Sequence, residues 1–143
     1  MANGAPIVAR KLLPDIGACP LDMGSRFIDG KPLFGSSKTV RGIIASLFFT
    51  AALAPVFGLP VSTGITLALG AMLGDLLSSF IKRRLNIESS EMAMGLDQVP
   101  ESLIPLLFIQ SQFSLGIDAI ILIVILFFLL GIILSRVFFK LGL

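Results

Sequence analysis

Histidine is absent from all 143 residues. Its absence removes Ser-His-Asp and Cys-His nucleophilic chemistry, imidazole acid–base catalysis and imidazole metal ligation. Cysteine occurs once, at Cys19, so there is no intramolecular disulfide and no Cys/His spacing that could build a zinc site. Charge is scarce as well: Asp, Glu, Lys and Arg make up 14% of the chain, against about 25% in an average soluble domain. What replaces them is apolar, at 55% of residues. The solvent for most of this chain is therefore lipid, and any catalysis must rest on carboxylates, amines, hydroxyls and bound metal. Eleven cations against nine anions leave a net charge of +2, a surplus too small to imply a nucleic-acid partner. The apolar stretch from Ile7 is broken by Arg10, Lys11 and Pro14, which is not the order of a secretory signal peptide.

A bilayer core about 30 Å thick needs roughly 20 mostly apolar helical residues. Four runs qualify, at residues 40–59, 61–82, 99–115 and 117–139, and they predict an all-α integral membrane protein, one domain over residues 1–143. Pro60 separates the first two runs, and Pro100, Pro105, Glu101, Gln110 and Gln112 make the third the least uniform. The cations test the division, because short cytoplasmic loops collect Lys and Arg. Arg10, Lys11, Arg26, Lys31, Lys38 and Arg41 precede or begin the first run, Lys82, Arg83 and Arg84 close the second, and Arg136 and Lys140 end the fourth. Four alternating helices put all three clusters on one face. Residues 1–39 and 83–98 are then cytoplasmic segments of a multi-pass cell-membrane protein, and function is expected on that face.

Asp75 lies nine residues before Arg84, roughly 13 Å along a helix, which places a carboxylate inside the apolar zone. An ionisable group there normally has a partner and a function. Ser78, Ser79 and Lys82 follow it on the same helical face. A purely structural account also covers them: Asp75 pairs with Lys82 or a neighbouring helix, the serines bond their own backbone, and Gly70 and Gly74 serve close packing. Asp97 opens the third run, with Glu101 one turn on. It reads either as a helix N-cap or as a second oxygen ligand that, with Asp75, holds a hard divalent cation shared with substrate phosphates. Lys82 and Arg83 are suited to neutralising such phosphates, while Arg84 reads as a membrane-surface anchor. The Gly35-Ser36-Ser37-Lys38-Thr39 stretch looks like a phosphate loop but lacks the Walker spacing and a preceding strand. Amides near Lys38 and Thr39, with Arg41, can still receive an anion at a helix N-terminus.

Several segments together resemble the CDP-archaeol synthase family, archaeal relatives of the CDP-diacylglycerol synthases. They are Ala2-Asn3-Gly4-Ala5-Pro6, Pro20-Leu21-Asp22-Met23-Gly24, Asp29-Gly30-Lys31-Pro32-Leu33-Phe34-Gly35 with Lys38-Thr39-Val40-Arg41-Gly42, and Gly74-Asp75 through Ser78-Ser79 to Lys82-Arg83-Arg84, followed by Leu96-Asp97-Gln98. The later His-Gly-Gly and Asp-Arg signature of the bacterial and eukaryotic enzymes is reduced here to Leu96-Asp97-Gln98. The resemblance implies five membrane helices where four are counted, so a segment upstream of this sequence is expected. It also implies transfer of a cytidylyl group from CTP to an isoprenoid glycerol ether phosphate, 2,3-di-O-geranylgeranylglycerol 1-phosphate, with Mg2+ required and pyrophosphate released. Under that reading Asp75 and Asp97 hold the metal, and Lys82 and Arg83 stabilise charge on pyrophosphate. Lys38, Thr39 and Arg41 secure CTP or lipid phosphate, and Ser78 or Ser79 orients metal-bound water or a phosphate. Asn3, Asp22 and Asp29 contact substrate polar groups or order the loops.

Two other classes compete. A small transporter would use Asp75 in a pathway, yet beyond it the second run offers chiefly Thr66, Thr63 and Ser62, and the fourth run's apolar stretch has no ionisable residue. A structural subunit would leave the clustered Asp, Lys and Gly segments without a purpose.

Overall fold

The computed structural model describes residues 19–88, 91, 93 and 95–140. Four α-helices run through them: α1, Val40–Leu53; α2, Val61–Arg84; α3, Gln98–Phe113; and α4, Ile117–Lys140. No strand forms among the described residues, only isolated bridges that join Pro20 to Thr39 and Arg26 to Pro32. Helix α1 starts at Val40 because Thr39 is extended and its Oγ1 accepts a hydrogen bond from the Gly42 amide at 3.2 Å, satisfying one of the orphan donors of the first turn. Its α ladder stops at Leu53 because Pro55 has no N–H to donate. The chain tightens into a 3-10 turn at Ala54–Phe57 and reverses through Gly58 at φ +72°, a left-handed conformation that glycine adopts without steric cost.

Helix α2 is the centre of the bundle, in contact with α1 on one side and α3 on the other, and α4 packs against α3. All three packings are antiparallel. Gly64 of α2 faces Ala51 and Ala54, so closely that an added Cβ would stand 2.7 Å from the Ala54 Cβ. Gly74 faces Pro100 and Glu101, Gly70 faces Pro105, and Gln112 Nε2 donates to Thr63 Oγ1 at 2.6 Å. These pairings run along α2 from Thr63 to Gly74. Lipid supplies no hydrophobic force between helices, so small residues that let backbones approach are what hold such a layer together. The large apolar side chains point outward: Phe48, Leu126 and Ile133 are among many that stay exposed, as expected where the surrounding medium is hydrocarbon.

The helices start at Val40, Val61, Gln98 and Ile117, and the first ends at Leu53, short of the apolar run that continues to residue 59. Among the described residues, three stretches are long and apolar enough to cross a membrane, Val40–Phe57, Val61–Arg84 and Ile117–Leu134. Helix α3 has 16 residues, about 24 Å at 1.5 Å per residue. It is the least apolar of the four runs, and Asp97 and Ser114 bound it. Its burial comes from α2 rather than from length.

Candidate active site at the charged end of the bundle

The C-terminal end of α2 and the N-terminal ends of α1 and α3 meet at one end of the layer, and the charged side chains gather there. Lys38, just before α1, sets its Nζ 2.5 Å from Asp75 Oδ2. About two turns further along α2, Lys82 pairs with Asp97, its Nζ 3.1 Å from Oδ1 and 3.2 Å from Oδ2, and donates to the Glu91 carbonyl at 2.7 Å. Lys82 is 7% exposed. A lysine is buried so deeply only when its charge is matched. Asp75 and Lys82 therefore do not pair with each other along α2; each is joined to a different element, one to the segment before α1 and the other to the segment before α3.

Asp97 stands at the N-cap position of α3 but makes no side-chain capping bond. Its carboxylate instead receives Lys82 and the Ala93 amide, the latter at 3.0 Å. Glu101, half-buried in the next turn, lies within electrostatic reach of Asp75, Lys38 and Asp97, because its backbone is seated against Gly74. Its spacing of four from Asp97 is the sequence signal that pointed to it.

Ser78 and Ser79 are spent on their own helix, donating at 2.8 Å to the Gly74 and Asp75 carbonyls. Arg83 is buried, and its Nε has no hydrogen-bond partner among the described residues. Thr39 caps α1 and Arg41 sits in the first turn. Asn3 lies outside the described residues.

The strap that carries Lys38, residues 20–39, is folded back on itself. Leu21 N donates to Lys38 O at 2.7 Å and Val40 N to Cys19 O at 3.2 Å. Asp22, 8% exposed, is its organising centre: Oδ1 accepts from Gly24 N, and Oδ2 accepts from Phe34 N and Gly35 N at 3.1 and 3.0 Å. Burial pushes the Asp22 carboxyl up, and the Phe34, Gly35 and Gly24 amides outweigh it, so its pKa lies below the ordinary 3.8. That wiring gives Asp22 a loop-ordering role. Asp29 accepts from the Lys31 amide at 3.0 Å and pairs with Arg84.

Among the described residues no three acidic or cysteine side chains converge as a ready-made metal cage. Magnesium does not need one, since it takes one or two carboxylates and completes its shell with water and substrate phosphates. The donor set at this end, Asp75 and Asp97 with Glu101 nearby, consists of hard oxygen ligands and fits such an ion.

Comparison with known proteins follows the same lines. The sequence is 37% identical over 107 residues to the CDP-archaeol synthase of Pyrococcus furiosus, covering 68% of this chain and 60% of that protein. It is 36% identical over 104 residues to the CDP-archaeol synthase of Hyperthermus butylicus, covering 68% and 59%. The chain spans about 60% of the length of these curated relatives. A solved structure, described as an intramembrane enzyme for archaeal membrane lipids biosynthesis, superposes with a TM-score of 0.77 at 31% identity over 94% of this chain and 86% of that one. The model of the CarS-like CDP-archaeol synthases matches residues 12–60 and 55–143, and with nearly the whole chain so matched, the protein belongs to the CDP-archaeol synthase family.

Proposed function

We propose that this chain transfers the cytidylyl group of CTP to an archaeal ether-lipid phosphate, 2,3-di-O-geranylgeranylglycerol 1-phosphate, to give the CDP-lipid and pyrophosphate. The observation that carries the reading is the paired arrangement Lys38–Asp75 and Lys82–Asp97 at one end of an intramembrane bundle of this family. It provides carboxylates and amines side by side, with apolar helix faces alongside for isoprenoid tails. Membership of the CDP-archaeol synthase family favours this reading over a transport pathway or a purely structural role.

The chemistry suits a site without histidine. A phosphate monoester is already mostly ionised near neutral pH, so its oxygen can attack the α-phosphorus of CTP without a strong base. The P–O bond to the β-phosphate breaks, and the electron pair leaves with pyrophosphate. Positioning and charge neutralisation supply the rate. Asp75 and Asp97 would hold Mg2+, which would supply positive charge to offset that of the phosphates. Lys38 then trades its carboxylate partner for a phosphate oxygen, with Thr39 and Arg41 at the start of α1 beside it. Lys82 holds Asp97 in place and adds positive charge. Arg83, whose Nε lacks a hydrogen-bond acceptor among the described residues, receives the leaving pyrophosphate. Both serines, committed to backbone carbonyls, shape α2 and leave the phosphates to the cations. The positive-inside distribution of Lys and Arg supports a cytoplasmic location for this end of the bundle in the cell membrane, where CTP is available.

The test is direct. Purified protein in archaeal-lipid micelles is incubated with CTP, Mg2+ and the ether-lipid phosphate. CDP-lipid and pyrophosphate in equal amounts support the reading; no product, beside an active control enzyme of the family, removes it.

A further inference from the structure

Arg84 does not behave as the surface anchor its position suggests. A snorkelling arginine sends its head group to water or lipid phosphate, whereas this one turns onto the strap. Its Nε lies 2.9 Å from Asp29 Oδ2, its Nη2 donates to Pro32 O at 2.6 Å, and its own backbone carbonyl accepts from Lys31 Nζ at 2.9 Å. The guanidinium carbon stands 5.1 Å from the Phe27 ring centroid and 4.7 Å from that of Phe80, two rings packed edge to face at 5.2 Å. Nε and Nη1 are buried without an aligned hydrogen bond: Nε meets Asp29 as an ion pair only, and the guanidinium plane is given over to the aromatic faces, where a cation is attracted by the ring quadrupole. Four strap residues, Phe27, Asp29, Lys31 and Pro32, thus converge on one arginine.

The strap is fastened to α2 at two places, this clasp and the Lys38–Asp75 pair. The stretch between them is wired throughout. Leu33 N donates to Ser25 O, Phe34 and Gly35 amides to Asp22, and Lys38 N to Gly35 O. A displacement at Pro32 therefore has no slack segment in which to dissipate before it reaches Lys38. We infer that Arg84 is a positioning residue: by clasping Phe27, Asp29 and Pro32 it fixes the strap against the end of α2 and so sets the Lys38 amine over Asp75. The inference rests on the proposed phosphate-handling role of Lys38.

Amide hydrogen exchange and kinetics on the full chain in lipid micelles test it together. Arg84→Ala is expected to speed exchange at Phe34 and Gly35 at least tenfold while the interior amides of α2 exchange as in the wild type. Arg84→Lys keeps the charge at the membrane surface but cannot span Asp29, Pro32 and both rings, so it should leave the strap open; full restoration by lysine would show a mere anchor and overturn the proposal. In steady-state kinetics, Arg84→Ala should raise the KM of the same substrate as Lys38→Ala, by about tenfold with little change in kcat. The Lys38→Ala/Arg84→Ala double variant should be no worse than Lys38→Ala alone, because both act through one amine. Additive losses, or unchanged strap exchange, refute the positioning role. Asp29→Asn, at an exposed position, gives the same readouts should Arg84→Ala fail to insert. If the wild type transfers no cytidylyl group, the proposed function falls, while the exchange data still decide whether the clasp holds the strap.

Discussion

Lys38 Nζ and Asp75 Oδ2 meet at 2.5 Å although 37 residues separate them in sequence. Their side chains are 21% and 25% exposed, so the pair is part-buried yet open on one side. It is placed to exchange partners when a phosphate and a cation arrive. Asp75→Asn, nearly isosteric, is expected to leave the thermal midpoint in detergent within a few degrees and to reduce cytidylyl transfer by about 10²-fold or more. Melting and turnover of the same preparation check both. Near-normal turnover would take Asp75 out of the site.

The α2–α3 contact depends on glycine for a different reason. A Cβ on Gly70 would stand 2.5 Å from Pro105 Cα and 2.8 Å from its nitrogen, and backbone atoms of a proline cannot turn aside as the end of a flexible side chain can. Gly70→Ala is expected to cost about 1–3 kcal/mol and to move Glu101 and Asp97 away from α2. Loss of activity together with a lower thermal midpoint is the expected result; Leu73→Ala, on an exposed face of the same helix, is the control that should change neither strongly.

Acid should open the strap before it unfolds the bundle. The folded pKa of Asp22 is depressed, so the ionised carboxylate contributes stability that is complete above its unfolded value of ~3.9. That contribution is lost as pH falls through the lower folded value. At neutral pH, Asp22→Asn should weaken the strap by about 1–2 kcal/mol, read as faster exchange at the Phe34 and Gly35 amides. The two proteins should converge only as pH falls from ~4 through that lower folded value. A constant difference across the whole range would assign the strap's order to something other than this charge.

How much of this was legible in the sequence depends on the range of the interaction. Helix starts at Val40, Val61 and Ile117 follow from local signals, Thr39 as cap and Pro60 and Gly116 as breaks, and the structure keeps them. The end of α1 needed the backbone consequence of Pro55, which converts its last turn to 3-10. The site residues were legible as chemistry but not as partners. On α2 alone, Lys82 is a natural mate for Asp75, and only the antiparallel packing shows Lys38 taking that place while Asp97 takes Lys82. For Ser78 and Ser79 the sequence left substrate and their own backbone both open, and the structure shows each hydroxyl donating to the carbonyl four residues earlier. Arg84 read as an anchor because its partners, Phe27, Asp29 and Pro32, lie more than 50 positions away.

Sidedness offers an independent check, since the argument for it is statistical charge placement rather than geometry. Cys19 is exposed at the base of the strap and should react with a membrane-impermeant maleimide only from the cytoplasmic side. In a Cys19→Ser background, Gly116→Cys, in the α3–α4 turn, should react only from the other side. Reaction of both from one side would break the alternating arrangement, and with it the cytoplasmic placement of the charged end.

Asp97 separates two accounts of a carboxylate at a helix start. As a cap it would be replaced by asparagine at little cost, because the two residues cap comparably, but its side chain makes no capping bond and instead meets Lys82 and the Ala93 amide. Asp97→Asn keeps an oxygen to accept one of those bonds and removes the charge that matches a lysine only 7% exposed. The expected stability loss is about 1–3 kcal/mol, small enough for the protein to remain folded at assay temperature. If the same carboxylate also holds magnesium, its loss should lower turnover severely and raise the magnesium concentration needed for half-maximal rate, with excess metal restoring part of it. Magnesium titrations of wild type and variant at fixed free CTP, on material shown to be monodisperse, decide the matter. A variant that is less stable yet has wild-type metal dependence and maximal rate would leave Asp97 as the counter-ion of Lys82 and nothing more, and the metal would then have to be assigned to Asp75 and Glu101.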